Sequence, residues 1–364
     1  MFKWGIRLGA AAVLLAGTAF GVLQIPAVQD KIFIAVVKSR VPATDSPYFA
    51  DDALRLVICG SSSPLPDPHR ARSCNAIIAG GKIYVVDAGG ESASRLNSFG
   101  IPLDRLSGVF LTHFHSDHIA DLAEMNFNSW GAGRTMPLAV YGGPGVTDVV
   151  GGFNQAYGAD HQYRTAHHTE SVMPHEAGDM VAHEIDLLGP PDEAMDRHAE
   201  PLHFGDLTVT AIEVDHRPVT PAYGYRFDYK GRSITISGDT VYHKPLAVAA
   251  KGTDVLVHEA QSQFMVRTMQ AVMTDAGRWR LAHIMHDIQS YHTDVVDAAK
   301  IGNQAGAKLL VFTHFTPPLI NRLANSIFFR GVDAVRPDGW VAAHDGMMVT
   351  LPIGSDAVQV GEVK

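Results

Sequence analysis

The chain has 364 residues, 46% of them hydrophobic and 18% charged, with a formal net charge of −9. This fits one large α/β domain or two ordinary ones and excludes a disordered chain. The acidic balance, with no basic run beyond the N-terminus, argues against a polyanionic partner, which needs clustered Lys and Arg, so no nucleic acid is expected. Two cysteines, Cys59 and Cys74, are too few for a disulfide framework, though export would let them pair.

In chain order, Lys3 and Arg7 precede an apolar run from Leu8 to Val28, broken by Thr18, Gln24 and Pro26. This pattern reads as an export signal, with Gly17-Thr18-Ala19 offering a cleavage site, or as a single membrane anchor. The alternative is a buried N-terminal helix. The basic N-terminus would stay in the cytoplasm and send the rest across. The expected location is therefore periplasmic or extracellular, with possible membrane attachment through the N-terminal segment. Pro42, Asp45, Ser46 and Pro47 mark a linker, so residues 1–50 read as signal or anchor plus linker and 51–364 as one domain.

Leu54–Cys59 reads as a strand, and Asn75–Ile78 with Lys82–Val86 as a hairpin turning at Gly80-Gly81. Asp87-Ala88-Gly89-Gly90 follows. Val109–Thr112 is an apolar strand that runs into His113-Phe114-His115-Ser116-Asp117-His118. Alternation along an extended chain puts His113 and His115 on one side. Asp117 and His118 open a helix expected over Ile119–Phe127. Imidazoles and a carboxylate are the ligands of a catalytic zinc site, and this spacing can serve two ions side by side.

The H-x-H-x-D-H run resembles the signature of the metallo-β-lactamase superfamily of hydrolases. The resemblance implies a four-layer αββα sandwich with metals at one edge of two sheets. It also implies that Asp87 is structural, holding the metal loop. Pro137–Tyr141 ends in Gly142-Gly143-Pro144-Gly145, a turn found in the ribonuclease Z and arylsulfatase branch. Thr147–Tyr157 reads as a helix. Asp160–His203 is polar and rich in His, and reads as a solvated insertion or, alternatively, a third metal site or substrate lid.

In that branch a His before a G-Y-R strand is the third ligand of the first metal. His216, ahead of Gly224-Tyr225-Arg226, takes that role. Asp239, in Gly238-Asp239-Thr240, takes the bridging role, and His314, after the strand Leu309–Thr313, is the last ligand. His258-Glu259-Ala260 and Tyr291-His292-Thr293 resemble the paired elements in which a Glu orients a proton-donating His. Glu259 is therefore paired with His292, whose pKa the carboxylate should raise, while His258 supports from behind. Between them, Gln261–Gln289 is rich in Met and aromatic residues and reads as core, a homodimer contact or a substrate wall.

The resemblance thus implies two Zn2+, or other divalent ions. His113, His115 and His216 hold the first; Asp117, His118 and His314 hold the second; Asp239 bridges. Asp117, Glu259 and His292 are the expected catalytic residues. Such a centre suits hydrolysis of a phosphodiester or sulfate ester by metal-activated water. In ribonuclease Z a long arm that grips tRNA lies between the G-Y-R strand and the bridging Asp; here only Asp228–Gly238 separates them. The expected substrate is therefore a small-molecule ester. A lactone or C–N hydrolase and a non-catalytic metal-binding module are the alternatives; the module predicts gaps in the ligand set, and there are none.

Overall fold

The computed structural model describes residues 20–40, 46–190 and 195–363. Residues 1–19, most of the apolar run read as signal or anchor, lie outside the described residues. The chain divides into two units, Met1–Pro47 and Tyr48–Lys364. In the first, helix α1 (Pro26–Arg40) is described. Among the described residues no helix is long and apolar enough to cross a membrane.

The second unit begins with β1 (Ala53–Gly60), β2 (Cys74–Ala79) and β3 (Lys82–Val86). Helix α2 (Ser92–Ser98) and β4 (Leu106–Phe110) lead to two short helices, α3 (Ser116–Ile119) and α4 (Leu122–Ala132). After β5 (Leu138–Gly142), helix α5 (Val146–His168) and β6 (Met180–Glu184), a run of antiparallel strands follows: β7 (Leu202–Phe204), β8 (Leu207–His216), β9 (Val219–Tyr229) and β10 (Arg232–Ile236). Then come α6 (Lys244–Ala249), β11 (Val255–Gln261), α7 (Gln263–Asp275), α8 (Trp279–Asp287), α9 (Val295–Ala305) and β12 (Leu309–Thr316). Three strands close the unit: β13 (Trp340–Ala342), β14 (Met347–Pro352) and β15 (Gln359–Glu362).

The strands form two sheets, ordered β15-β14-β1-β2-β3-β4-β5-β6 and β13-β12-β11-β10-β9-β8-β7. The expected α/β sandwich of two sheets with helices is the observed fold. Period-two alternation sorts β1 between two cores. Leu54, Leu56 and Ile58 join residues of the second sheet such as Tyr225, Phe227 and Ile234. Val57 and Cys59 face the other way, packing with Leu96 of α2 and Leu122 and Met125 of α4. Phe110 centres the inter-sheet layer, stacked on Tyr141 at 4.7 Å and edge-on to Tyr225 and Phe227 at 5.4 and 5.7 Å. Truncating so buried a ring costs about 3–5 kcal/mol.

The structure departs from the sequence reading in three places. The helix expected over Ile119–Phe127 is two pieces, broken at Ala120–Asp121, where the Asp121 carboxylate accepts from the Ala93 amide at 2.8 Å. The helix expected to stop at Tyr157 continues to His168, so the start of the insertion is regular. Cys59 and Cys74 are bonded. The β1–β2 register shifts between Ile58, opposite Asn75, and Gly60, opposite Cys74, and this irregularity leaves Cys59 on the same side as Cys74.

Candidate metal centre

Strand C-terminal ends converge on one rim, where α/β sheets place their ligands. Beyond β4 the chain leaves the sheet, and His113, His115, Asp117 and His118 sit on the loop and on α3. His216 ends β8, Asp239 follows β10, Glu259 lies in β11 and His314 in β12. Local geometry is enforced at both carboxylate turns. Gly238 has φ +62°, and a Cβ there would meet the Tyr223 carbonyl oxygen at 2.3 Å. A Cβ on Gly89 would meet the Asp117 carbonyl oxygen at 2.1 Å. Asp87 and His314 themselves hold φ of 63° and 50°, in the left-handed region that side chains rarely adopt.

All seven residues expected as ligands come together. Four groups bring their donor atoms within 4.8 Å of one another: His113, His115 and His216; His113, His118 and Asp239; Asp117, His118 and His314; and Asp239, His292 and His314. Asp239 Oδ2 lies 3.4 Å from His118 Nε2, 3.4 Å from His314 Nε2 and 4.0 Å from His113 Nε2. His113 Nε2 and His115 Nδ1 approach to 2.9 Å, and His216 Nε2 lies 3.5 Å from His115 Nδ1.

The donor set fits a divalent cation. His118 Nε2, the ring nitrogen that faces Asp117 and Asp239, is buried without a hydrogen-bond partner among the described residues, and an orphaned buried nitrogen is costly unless something accepts its lone pair. Burial, reinforced by the His118 charge, holds His113 well below the ordinary imidazole value. Burial likewise brings His216 down to about 4. Both are therefore neutral at physiological pH, the form that binds metals. Burial would lower His118 as well, but the carboxylates of Asp239, Asp87 and Asp117 outweigh it and raise it. Burial would raise Asp239, but His314 and His118 hold it well below the carboxylate range.

Supporting contacts surround the ligands. The Asp87 carboxylate accepts from His118 Nδ1 at 2.7 Å and from the Thr112 amide at 2.9 Å. His216 Nδ1 donates to the Tyr291 carbonyl at 2.9 Å. Sequence reasoning missed Thr112 and Tyr291 as supports; each immediately precedes a motif His, the one signal available.

Glu259 and His292 are paired, with Nδ1 3.0 Å from both carboxylate oxygens, and Glu259 also accepts from the Thr240 amide at 2.9 Å. The expected rise of the His292 pKa is not found. Burial lowers His292, and burial with the Asp239 charge raises Glu259 well above the carboxylate range. Away from water an ion pair loses more solvation than attraction returns, so the proton between them shifts toward the carboxylate. His258 is buried behind, its Nδ1 donating to the Glu259 carbonyl at 2.8 Å.

A cleft of about 290 Å³ opens over the ligands, walled by Leu65, Ile284, Met285, Ile288 and Tyr291. The Met-rich segment is thus partly core, through Val266 and Met285, and partly cleft wall. None of the insertion's His joins a metal group among the described residues. His161 packs on Trp130 and pairs with Asp179, and His183 stacks on Tyr141.

A family model, the beta-lactamase superfamily domain, matches residues 84–315. A ribonuclease Z of Mycobacterium bovis is 35% identical over 270 residues, covering 73% of this chain and 87% of the relative. One from Mycobacterium avium is 32% identical over 272 residues, covering 73% and 88%. Among solved structures, the short form of human tRNase Z superposes with a TM-score of 0.57 at 22% identity, covering 82% of this chain and all of that one. The metallo-β-lactamase fold protein YhfI of Bacillus subtilis gives 0.56 at 18%, also over 82% of this chain and all of that one.

These relatives correct two expectations. A small-molecule ester substrate with no nucleic acid is overturned, because the relatives are ribonucleases. Net charge is a sum over the whole chain and says nothing about one face. The β9–β10 hairpin does turn tightly at Lys230-Gly231, but a missing arm does not exclude RNA held elsewhere. Export, to a periplasmic or extracellular location with possible membrane attachment, is overturned too, because the relatives are ribonuclease Z proteins. The chain is a metal-dependent hydrolase that belongs to the metallo-β-lactamase superfamily, on its ribonuclease Z-like side.

Proposed function

We propose that the chain hydrolyses phosphodiester bonds of RNA at a centre of two divalent ions, zinc in the first instance. The observation that carries this is the position of Asp239, whose Oδ2 lies 3.4 Å from ring nitrogens of both His118 and His314 and 4.0 Å from His113. One carboxylate between two sets of imidazoles suits an ion on either side. His113, His115 and His216 would hold one, and Asp117, His118 and His314 the other. When bound, paired ions supply activated water and charge neutralisation for in-line displacement at phosphorus.

The chain's own residues supply the rest. Asp117, at the cleft floor, is held ionised by the His118 and His314 contacts, which outweigh its burial, and can accept a proton from the attacking water. His292 faces the cleft and Glu259 fixes its ring. With Nδ1 tied to the carboxylate, Nε2 is the atom that donates a proton to the leaving oxygen. The Glu259–His292 pair carries the same number of protons whichever partner holds the one between them. A lactone or C–N hydrolase would not need so strongly built a donor.

The test is digestion of an RNA by the zinc-loaded full chain in 18O-water. Attack by water predicts a terminal phosphate carrying one solvent oxygen per cut, and cutting that survives 2′-O-methylation. Cyclic-phosphate products, or no cutting, would refute the reading.

A further inference from the structure

Helix α8 has two faces. Ile284, Met285 and Ile288 at its C-terminal end wall the metal cleft. Trp279, Ala282, His283 and His286, spaced i, i+3, i+4 and i+7, line a second groove of about 550 Å³ against Gln270 and Thr274 of α7. The helix is about 13 Å long, so this groove begins within a few nucleotides' reach of the metal ligands.

The groove's outer end is an aromatic surface left in water. Trp279 is 68% exposed, and the Arg280 guanidinium lies 5.0 Å from its ring centroid. His283 and His286 stack at 6.2 Å with planes 6° apart, and Asp287 pairs with both. Burial does not explain an exposed indole, because the apolar contacts of the hairpin are met by Val266 and Met285 on its inner face. The charge here is opposite to that of the chain. The hairpin carries Arg267, Arg278 and Arg280 against Asp275 and Asp287, in a protein of net charge −9. Among the described residues neither Arg278 nor Arg280 is ion-paired.

We propose that this face of the α7–α8 hairpin is a platform for a single-stranded RNA segment next to the scissile phosphate. An unpaired base stacks on the Trp279 indole, and Arg278 and Arg280 meet the flanking phosphates. Flat exposed rings interleaved with cations are what an unpaired strand requires: stacking tolerates any base, and the guanidiniums follow the backbone. The inference rests on the RNA reading above and names how that substrate is held.

The experiment is fluorescence anisotropy of a labelled phosphorothioate RNA dodecamer with the zinc-loaded full chain. It is run alongside turnover of bis(p-nitrophenyl) phosphate, which is too small to reach Trp279. The wild type should bind the single strand more tightly than the same strand in a duplex. Trp279→Ala should weaken binding about tenfold, and Trp279→Phe should hold close to wild type. Arg278→Ala with Arg280→Ala should flatten the dependence of affinity on salt. All variants should keep wild-type turnover of the small ester, which shows that they are folded. Wild-type affinity in Trp279→Ala would overturn the platform while leaving the RNA reading intact. Failure of the wild type to bind or cut RNA would overturn both. Loss of self-association in Trp279→Ala, with RNA binding unchanged, would assign the face to a second copy of the chain instead.

Discussion

Asp87 Oδ2 lies 2.7 Å from His118 Nδ1, so the imidazole must turn its Nε2 toward Asp239 and Asp117. The carboxylate also takes the Thr112 amide, which ties the turn after β3 to the metal loop. In the proposed centre Asp87 positions His118 rather than binding an ion itself.

Asp87→Ala should therefore lower metal affinity about 10–100-fold, the usual cost of losing an outer contact to a ligating His. Competition with a chromophoric chelator measures it. Unchanged affinity would mean that the ring is oriented by its other neighbours.

A proton donor and a structural contact are separable by leaving group. His292→Ala should reduce kcat on RNA by about 10²–10⁴-fold. The loss should shrink for bis(p-nitrophenyl) phosphate, whose nitrophenolate departs without a proton. Glu259→Gln, which keeps the shape of the pair, should follow the same pattern less steeply. Equal losses on both substrates would remove His292 from the proton-donor role.

His258 is buried, and burial brings it down to about 4 from an ordinary 6.5. The unfolded chain then binds a proton between those values that the folded chain refuses. Stability from this group is full above pH 6.5 and is lost as pH falls toward 4, by about 3 kcal/mol. His258→Gln should flatten the decline in unfolding midpoint by about one proton over that window. An identical slope in the variant would show that other groups govern acid unfolding.

The Cys59–Cys74 bond spans a separation of 15 residues, bracketing the Ser61–Ser73 loop that supplies Leu65 to the cleft wall. Replacing both cysteines with Ala should cost about 3 kcal/mol, read from the urea midpoint. A loss under about 1 kcal/mol would mean that the loop is already held, for instance by Asp345, which accepts from Ser61 and Ala71.

The clustering of the residues proposed as metal ligands was legible because four of them crowd one loop and the rest follow apolar strands. Strand ends, rather than sequence distance, carry His216, Asp239 and His314 to the same rim. The Cys59–Cys74 bond was not legible, since it depends on the β1–β2 register. The length of α5 was hidden by Gly158 and His161, which weaken the helical pattern without breaking it. The Glu259–His292 pair was readable, but its proton balance was not, because burial is a property of the fold. The acidic composition misled because a net charge averages over the Trp279 face. The Met-rich segment showed its helical period but not which side would meet water.

The most direct test of the two-ion centre is the zinc content of the purified full chain by mass spectrometry, beside Asp239→Ala. The account predicts two ions per wild-type chain and one or fewer in the variant. One ion per chain in both proteins would contradict it.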